Sequence, residues 1–265
     1  MFLEKIVALK KQEIQQLYAQ YHPMEQMNER FSHSPGRSLV EIVKQSKGVS
    51  FIAEVKPASP SRGVIREEVD PIATALSYEK GGASAISVLT EEHYFKGKAE
   101  SLTQVRQQVR LPVLRKDFIM DPIQVYESKQ MGADVILLIA ALLDHHSLRE
   151  LTELAHQLEM EVLLEVHEPS EIDAAVFANP DFIGINNRNL KTLATDLSVT
   201  ERLRPMIPPP FLVIGESGVH SVEDVRRMVQ AGVDGILIGE YLMRQDDSEQ
   251  ALQELRDLGT DHDLD

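Results

Sequence analysis

The chain of 265 residues contains no cysteine and no tryptophan, and only 5% of it is aromatic. Without cysteine, disulfides, thiolate metal centres and cysteine nucleophiles are excluded together. Basic residues are scarce as well: 27 Lys+Arg stand against 42 Asp+Glu, a net charge of −15. A nucleic-acid binder needs a basic surface for the phosphate backbone, so nucleic acid is not an expected partner. Long apolar runs are missing too. The longest, Val135 to Leu143, is nine residues, about half the ~20 that a membrane span requires. The opening MFLEKIVALKKQEIQQLY carries Glu4 and Lys5 where a secretory signal would have its apolar core. It reads as an amphipathic helix with Ile6, Leu9 and Leu17 on one face, and a cytoplasmic location without membrane attachment is expected. Neither a nucleophile-elbow serine nor a metal-ligand spacing of His and carboxylates is found. His145-His146 reads as a helix start.

Part of the acidic excess is local. Residues 246–265 hold eight acidic residues and one Arg, and they read as a helix end followed by a solvated tail. Deleting them is expected to leave catalysis unchanged.

What is present is a repeat. Gly-Ala-Ser-Ala-Ile (82–86), Gly-Ala-Asp-Val-Ile (132–136) and Gly-Val-Asp-Gly-Ile (232–236) recur, with Asn-Pro-Asp-Phe-Ile (179–183) as a weaker copy. Each copy closes a helix-like stretch and opens an apolar strand, as a left-handed glycine at a helix end would allow. Between them lie FIAEVK (51–56), PVLRK (112–116), EVLLEV (161–166) and FLVIGE (211–216). Eight unalternated apolar strands therefore alternate with helices expected at 71–80, 99–108, 122–131, 146–158, 168–177, 198–205, 221–231 and after Gly239. Such strands belong to a parallel sheet covered on its faces. Eight units in this length predict a closed (β/α)₈ TIM barrel over 48–245. No Gly-x-Gly-x-x-Gly follows the first strand, which disfavours an open dinucleotide-binding sheet. Residues 1–47 are expected to add an N-terminal helical extension of two helices, broken around Pro23 to Pro35.

Catalytic groups of such a barrel sit at the C-terminal ends of its strands. Six of the eight ends are polar: Glu54-Val55-Lys56, Arg115-Lys116-Asp117, Glu165-Val166-His167, Asn186-Asn187-Arg188, Glu216-Ser217-Gly218 and Gly239-Glu240. Alternation places Glu54 and Lys56 on one face, where they either neutralise each other or enter the mouth together. Two lysines and three glutamates on one rim suggest proton transfer, because unpaired buried charge is costly. His167 is read as a loop residue turned away from Glu165. The glycines after the last two strands, Gly218 and Gly239, each precede a helix and form a phosphate signal. The stiffened segment Pro57 to Gly63 is expected to close over a ligand.

In this order, FIAEVKPASPSRG, SVLTEEHYFKG, LRKDFI, ADVILLIA, LLEVH, GINNRNL, IGESGV and ILIGEYLMR resemble the indole-3-glycerol phosphate synthase family of tryptophan biosynthesis. The matching runs extend from about residue 37 to 244. The resemblance implies an enzyme without cofactor or metal. It cyclises the anionic anthranilate ribulotide, 1-(2-carboxyphenylamino)-1-deoxyribulose 5-phosphate, with loss of CO₂ and water. It implies Lys116 as general acid at the ketone oxygen, Glu165 as base in the dehydration, and Lys56 as contact to the substrate carboxylate and a second candidate proton donor. Glu54, Asn186 and Glu216 would hold these groups, and Arg188, Ser217 and Ser59 would contact substrate. Phe95, Phe118, Leu137 and Leu190 would form the ring pocket. Gly218, Gly239 and the backbone N–H of Glu240 would bind phosphate, with the Glu240 carboxylate turned away. A monomer is the expected state. Many relatives carry Lys where this chain has Pro57. The nearest enzyme alternative, a phosphoribosylanthranilate isomerase, commonly uses a cysteine. A scaffold barrel would have lost its rim charges.

Overall fold

The structure is a computed structural model that describes residues 2–20 and 36–260. The first two helices, α1 (Phe2–Gln20) and α2 (Leu39–Gln45), precede eight strands. These are β1 (Ser50–Val55), β2 (Ala85–Leu89), β3 (Val113–Lys116), β4 (Val135–Ile139), β5 (Glu161–Val166), β6 (Phe182–Asn186), β7 (Leu212–Glu216) and β8 (Gly235–Ile238). All pair in parallel with their neighbours in chain order, and β1 closes the ring against β8. The connecting helices are α3 (Pro71–Lys80), α4 (Ala99–Gln108), α5 (Pro122–Met131), α6 (His145–Gln157), α7 (Ile172–Ala178), α8 (Ser198–Leu203) and α9 (Val222–Gln230). After β8 come the short α10 (Glu240–Met243) and α11 (Ser248–Thr260). Among the described residues no helix is long and apolar enough to cross a membrane. The expected break around Pro23 to Pro35 lies outside the described residues.

Local chemistry explains the units. Asp70 and Asp121 cap α3 and α5 through their carboxylates, each followed by a proline whose fixed φ suits the first helical turn. Asp144 caps α6, which begins at His145 as expected. The repeat marks the turn into each even-numbered strand: Gly82, Gly132 and Gly232 are left-handed, and Asn179 takes that conformation in the weaker copy at φ 56°. Its third position has a second use. The carboxylates of Asp134, Asp181 and Asp234 accept from the backbone N–H of Val113, Val162 and Val213 at 2.7–2.9 Å. Each ties the base of one strand to the strand before it.

Period-two alternation sorts the side chains of the barrel. Ile52, Ala85, Leu114, Val135, Leu163, Phe182 and Ile214 fill the interior. Their odd-numbered neighbours or even-numbered neighbours on the outer face, such as Val88, Ile136, Leu164 and Ile183, pack in the layer beneath the helices. The two described helices of the extension meet opposite ends of the barrel. At the base, Glu161 of β5 accepts from the N–H of Leu39 at 2.9 Å, holding α2 there. At the mouth, Lys10 of α1 meets Asp117, just past β3, at 2.7 Å. Ile6 of α1 is buried as the helical spacing predicts, while Leu9 and Leu17 are only half-buried; the buried Lys10 escapes any apolar pattern.

Within 246–265, read from charge as a helix end and tail, Ser248–Thr260 form a complete helix, and 261–265 lie outside the described residues. Ala251, Leu252 and Leu255 of α11 are buried in the main core, and α11 packs on α3 and α9. Net charge hid an apolar stripe at i, i+1 and i+4. Removal of this segment should therefore destabilise the barrel. Leu252→Ala alone is expected to cost about 2–5 kcal/mol, and denaturant melts giving less than ~1 kcal/mol would return α11 to the status of a tail.

Candidate active site at the barrel mouth

The inward residues of the strand ends converge. Glu54 and Lys56 of the β1 end, Lys116 of β3, Glu165 of β5, Asn186 of β6 and Glu216 of β7 line one cleft that opens to solvent. Lys116 Nζ lies 3.1 Å from Glu165 Oε2 and 3.2 Å from Glu216 Oε2. Lys56 is ion-paired with Glu54, so both expected outcomes hold at once: the pair neutralises itself and faces the cleft. Asn186 accepts from the N–H of Arg188 at 2.9 Å, which turns the chain after β6 back over the mouth.

Glycines make room for this cluster. A β-carbon on Gly184 of β6 would collide with Glu216 Oε1, and one on Gly239 would stand 2.8 Å from Glu54 Oε1. Gly184 was not among the expected site residues; an isolated glycine inside an apolar strand was the available signal.

The charges settle one another. Burial opposes the ammonium of Lys116, yet Glu165, Glu216 and Glu54 outweigh it and raise its pKa above the ordinary lysine value. The neighbouring carboxylates thus dominate, and Lys56 is occupied by Glu54. Burial likewise opposes the Glu165 carboxylate, but Lys116, His167 and Asn186 hold it well below the usual range. Glu216 is driven the other way, to about 8, by burial and by the like charge of Glu165 against the pull of Lys116. The cluster thus sets a cationic lysine beside two carboxylates driven apart, Glu165 toward the ionised form and Glu216 toward the protonated one.

His167 corrects its reading. It follows Glu165 by two residues and so shares its face of the pleat, with Nε2 3.2 Å from Glu165 Oε1. The loop after β3 had no sequence signal for its buried network. Asp117 meets Lys10, accepts from Thr90 at 2.6 Å, and pairs with Arg115, which reaches Glu127 at 2.7 Å. Burial raises the Asp117 carboxyl, but Lys10 and Arg115 bring it down to about 2.

Apolar walls complete the cleft. Phe95 and Phe118, ring centroids 6.2 Å apart, stand with Leu137 and Leu190. Leu89, Ile139 and Leu237, unanticipated, also line it. They are the apolar tops of β2, β4 and β8, facing inward by the same alternation.

A second, smaller cleft adjoins the first. Gly218, Gly239 and Glu240 line it with Lys56, Arg188 and Ser217. Ser217 and Gly218 are successive left-handed residues, and a β-carbon on Gly218 would lie 2.6 Å from Thr195. The Glu240 side chain is buried. It lies 3.2 Å from both Arg62 and Arg244 and 3.8 Å from Arg188, compensated by three guanidinium groups. The segment after β1 forms a small hairpin, Ala58–Ser59 against Gly63–Val64. Its Ser59 is buried and lines neither cleft; Ser61, bonded to Arg188, and Arg62, paired with Glu240, are the residues that reach the mouth.

A closed parallel barrel with an acid–base cluster at its C-terminal face defines a (β/α)₈-barrel enzyme. The family model described as indole-3-glycerol phosphate synthase matches residues 3–255. The chain is 47% identical over 256 residues to indole-3-glycerol phosphate synthase of Shouchella clausii, covering 96% of each chain. It is 49% identical over 221 residues to that of Dehalococcoides mccartyi, covering 82% of this chain and 85% of the relative. Among solved structures, thiamine phosphate pyrophosphorylase from Pyrococcus furiosus superposes with a TM-score of 0.60 at 18% identity, over 80% of this chain and 95% of that one, a likeness of fold alone. The chain belongs to the indole-3-glycerol phosphate synthase family. The match takes in α1 and most of α11, beyond the 37–244 of the matching runs.

Proposed function

We propose that the mouth of this barrel converts the anthranilate ribulotide to indole-3-glycerol phosphate, CO₂ and water. The observation that carries the reading is one lysine held between two buried glutamates beside an aromatic-walled cleft and a glycine-lined one. The anthranilate ring packs between Phe95, Phe118, Leu137 and Leu190. Its carboxylate faces Lys56, and the phosphate lies on the amides of Gly218, Gly239 and Glu240, near Arg188 and Ser217.

Ring closure joins the carboxylate-bearing ring carbon to the ketone carbon. As that bond forms, the ketone oxygen gains negative charge, and the Lys116 ammonium gives it a proton. A cation there favours the transition state over the ground state. The electron pair of the breaking C–CO₂ bond then returns to the ring. In the dehydration the nitrogen lone pair, acting through the ring, expels the new hydroxyl, which leaves as water with a proton from the Lys56 ammonium in the same cleft, while Glu165 takes the adjacent carbon-bound proton, leaving the indole double bond. Glu54, Asn186 and Glu216 hold the reacting side chains. This chemistry is complete without metal or coenzyme, and a cytoplasmic monomer suits it.

Supplying the ribulotide and following indole fluorescence tests the reading directly; no indole from folded protein would end it. Glu165→Gln keeps the shape but removes the base, so kcat should fall by about 10²-fold or more. A change confined to KM would remove Glu165 from proton transfer.

A further inference from the structure

One buried titratable group at the mouth has no part in the steps above. The His167 ring is 11% exposed and lies between two carboxylates, with Nε2 3.2 Å from Glu165 Oε1 and Nδ1 3.7 Å from Glu171 Oε2. Glu171 is itself pinned. Its Oε2 accepts from the backbone N–H of His167 at 2.6 Å and of Glu168 at 3.3 Å, in the turn Pro169–Glu171 that follows β5. The two oxygens of Glu165 thus face different partners, Oε1 the imidazole and Oε2 the Lys116 ammonium.

We propose that His167, anchored by Glu171, is a positioning residue for Glu165, holding its carboxylate ionised and aimed after Lys116 has given up its proton. This rests on the reading of Glu165 as the base. The reason is sequential. Once Lys116 protonates the ketone oxygen, the cation on Oε2 is gone while the dehydration is still to come. Glu216 on β7 and Glu54 on β1 supply no positive charge, and Lys56 is paired with Glu54. Asn186 on β6 is neutral. Among the groups packed around Glu165, the imidazolium is the charge that persists. Burial opposes that charge, but Glu165 and Glu171 together raise the His167 pKa to about 10.

The test compares wild type, His167→Asn and Glu171→Gln with the ribulotide as substrate, following indole fluorescence across the acid and neutral range. For His167→Asn, kcat should fall about tenfold with KM little changed. The acid limb of kcat should move up by about one pH unit, as for a carboxylate losing a nearby cation. Glu171→Gln should move it the same way by less. A merely structural role would lower thermal stability and leave the limb in place, and that result overturns the proposal. Should the variants fail to fold, ¹⁵N imidazole NMR of the wild type decides: His167 should stay cationic at about pH 8, well above the ordinary histidine value, and a neutral ring there overturns it. Wild type that forms no indole would defeat the functional reading and this inference with it. Active wild type with an unmoved His167→Asn profile defeats the inference alone.

Discussion

Lys116→Met should abolish indole formation, with a loss in kcat of about 10³-fold or more, while product binding changes little. The loss of a proton donor alone accounts for about 10²–10⁴-fold. Lys116 is in addition the cation shared by Glu165 and Glu216, so its removal raises the pKa of Glu165 and blunts the base as well. Binding survives because Phe95, Phe118, Leu137 and Leu190 wall the cleft and the glycine turns lie in the adjoining one. The same charge balance sets a pH signature. Glu165 has a depressed pKa in the folded enzyme, so it contributes stability above the ordinary carboxylate pKa, and that contribution is lost as pH falls through the folded value. Without Lys116 the folded pKa rises and this contribution shrinks. The variant should therefore be less stable than wild type near neutrality, and the gap should narrow in acid. Thermal melts at neutral and mildly acidic pH, beside single-turnover assays, measure both effects. Near-wild-type turnover would remove Lys116 from the mechanism.

The second large effect is expected far from the cleft in sequence. Lys10→Met leaves Asp117 as a buried carboxylate with its closest cation gone, and breaking a buried pair from one side costs about 3–5 kcal/mol. For a domain of this size each kcal/mol lowers Tm by about 2–4 °C, so the midpoint should drop by about 10 °C. Asp117 is held at about 2 by Lys10 and Arg115. Its contribution is present above the unfolded aspartate value and disappears as pH falls toward 2, so the penalty of Lys10→Met should fade in acid. Asp117 also follows Lys116 directly, and loosening it should cost turnover. Urea melts across pH, with kcat measured on the folded fraction, check the argument. An unchanged midpoint would mean that α1 is not tied to the mouth through this pair.

Much of this was legible along the chain. The eight strands were recoverable because parallel strands covered on both faces are continuous apolar runs, and left-handed residues at 82, 132, 179 and 232 mark where helices end. The charged residues of the mouth were recoverable because a barrel places its cleft at the strand ends. Lys56, Lys116, Glu165 and Glu216 do meet at one mouth. His167 was misread although the rule that pairs Glu54 with Lys56 also pairs Glu165 with His167. Other features had no linear signal. Lys10 meets Asp117 across 107 positions, and Arg62 meets Glu240 across 178. The apolar stripe of α11 lay beneath a count of charges.

The net charge of −15, which speaks against nucleic acid, turns out to describe the site poorly. Sequence alone determined the strand count and the residue types at the mouth, because periodicity and strand-end position are local properties. Only the tertiary structure decided which charges pair. Ion pairing depends on distances of a few ångströms between strands far apart in the chain, and on burial that strengthens each contact. Closure of the barrel placed Lys116 between Glu165 and Glu216, set His167 against the far oxygen of Glu165, and surrounded Glu240 with three arginines.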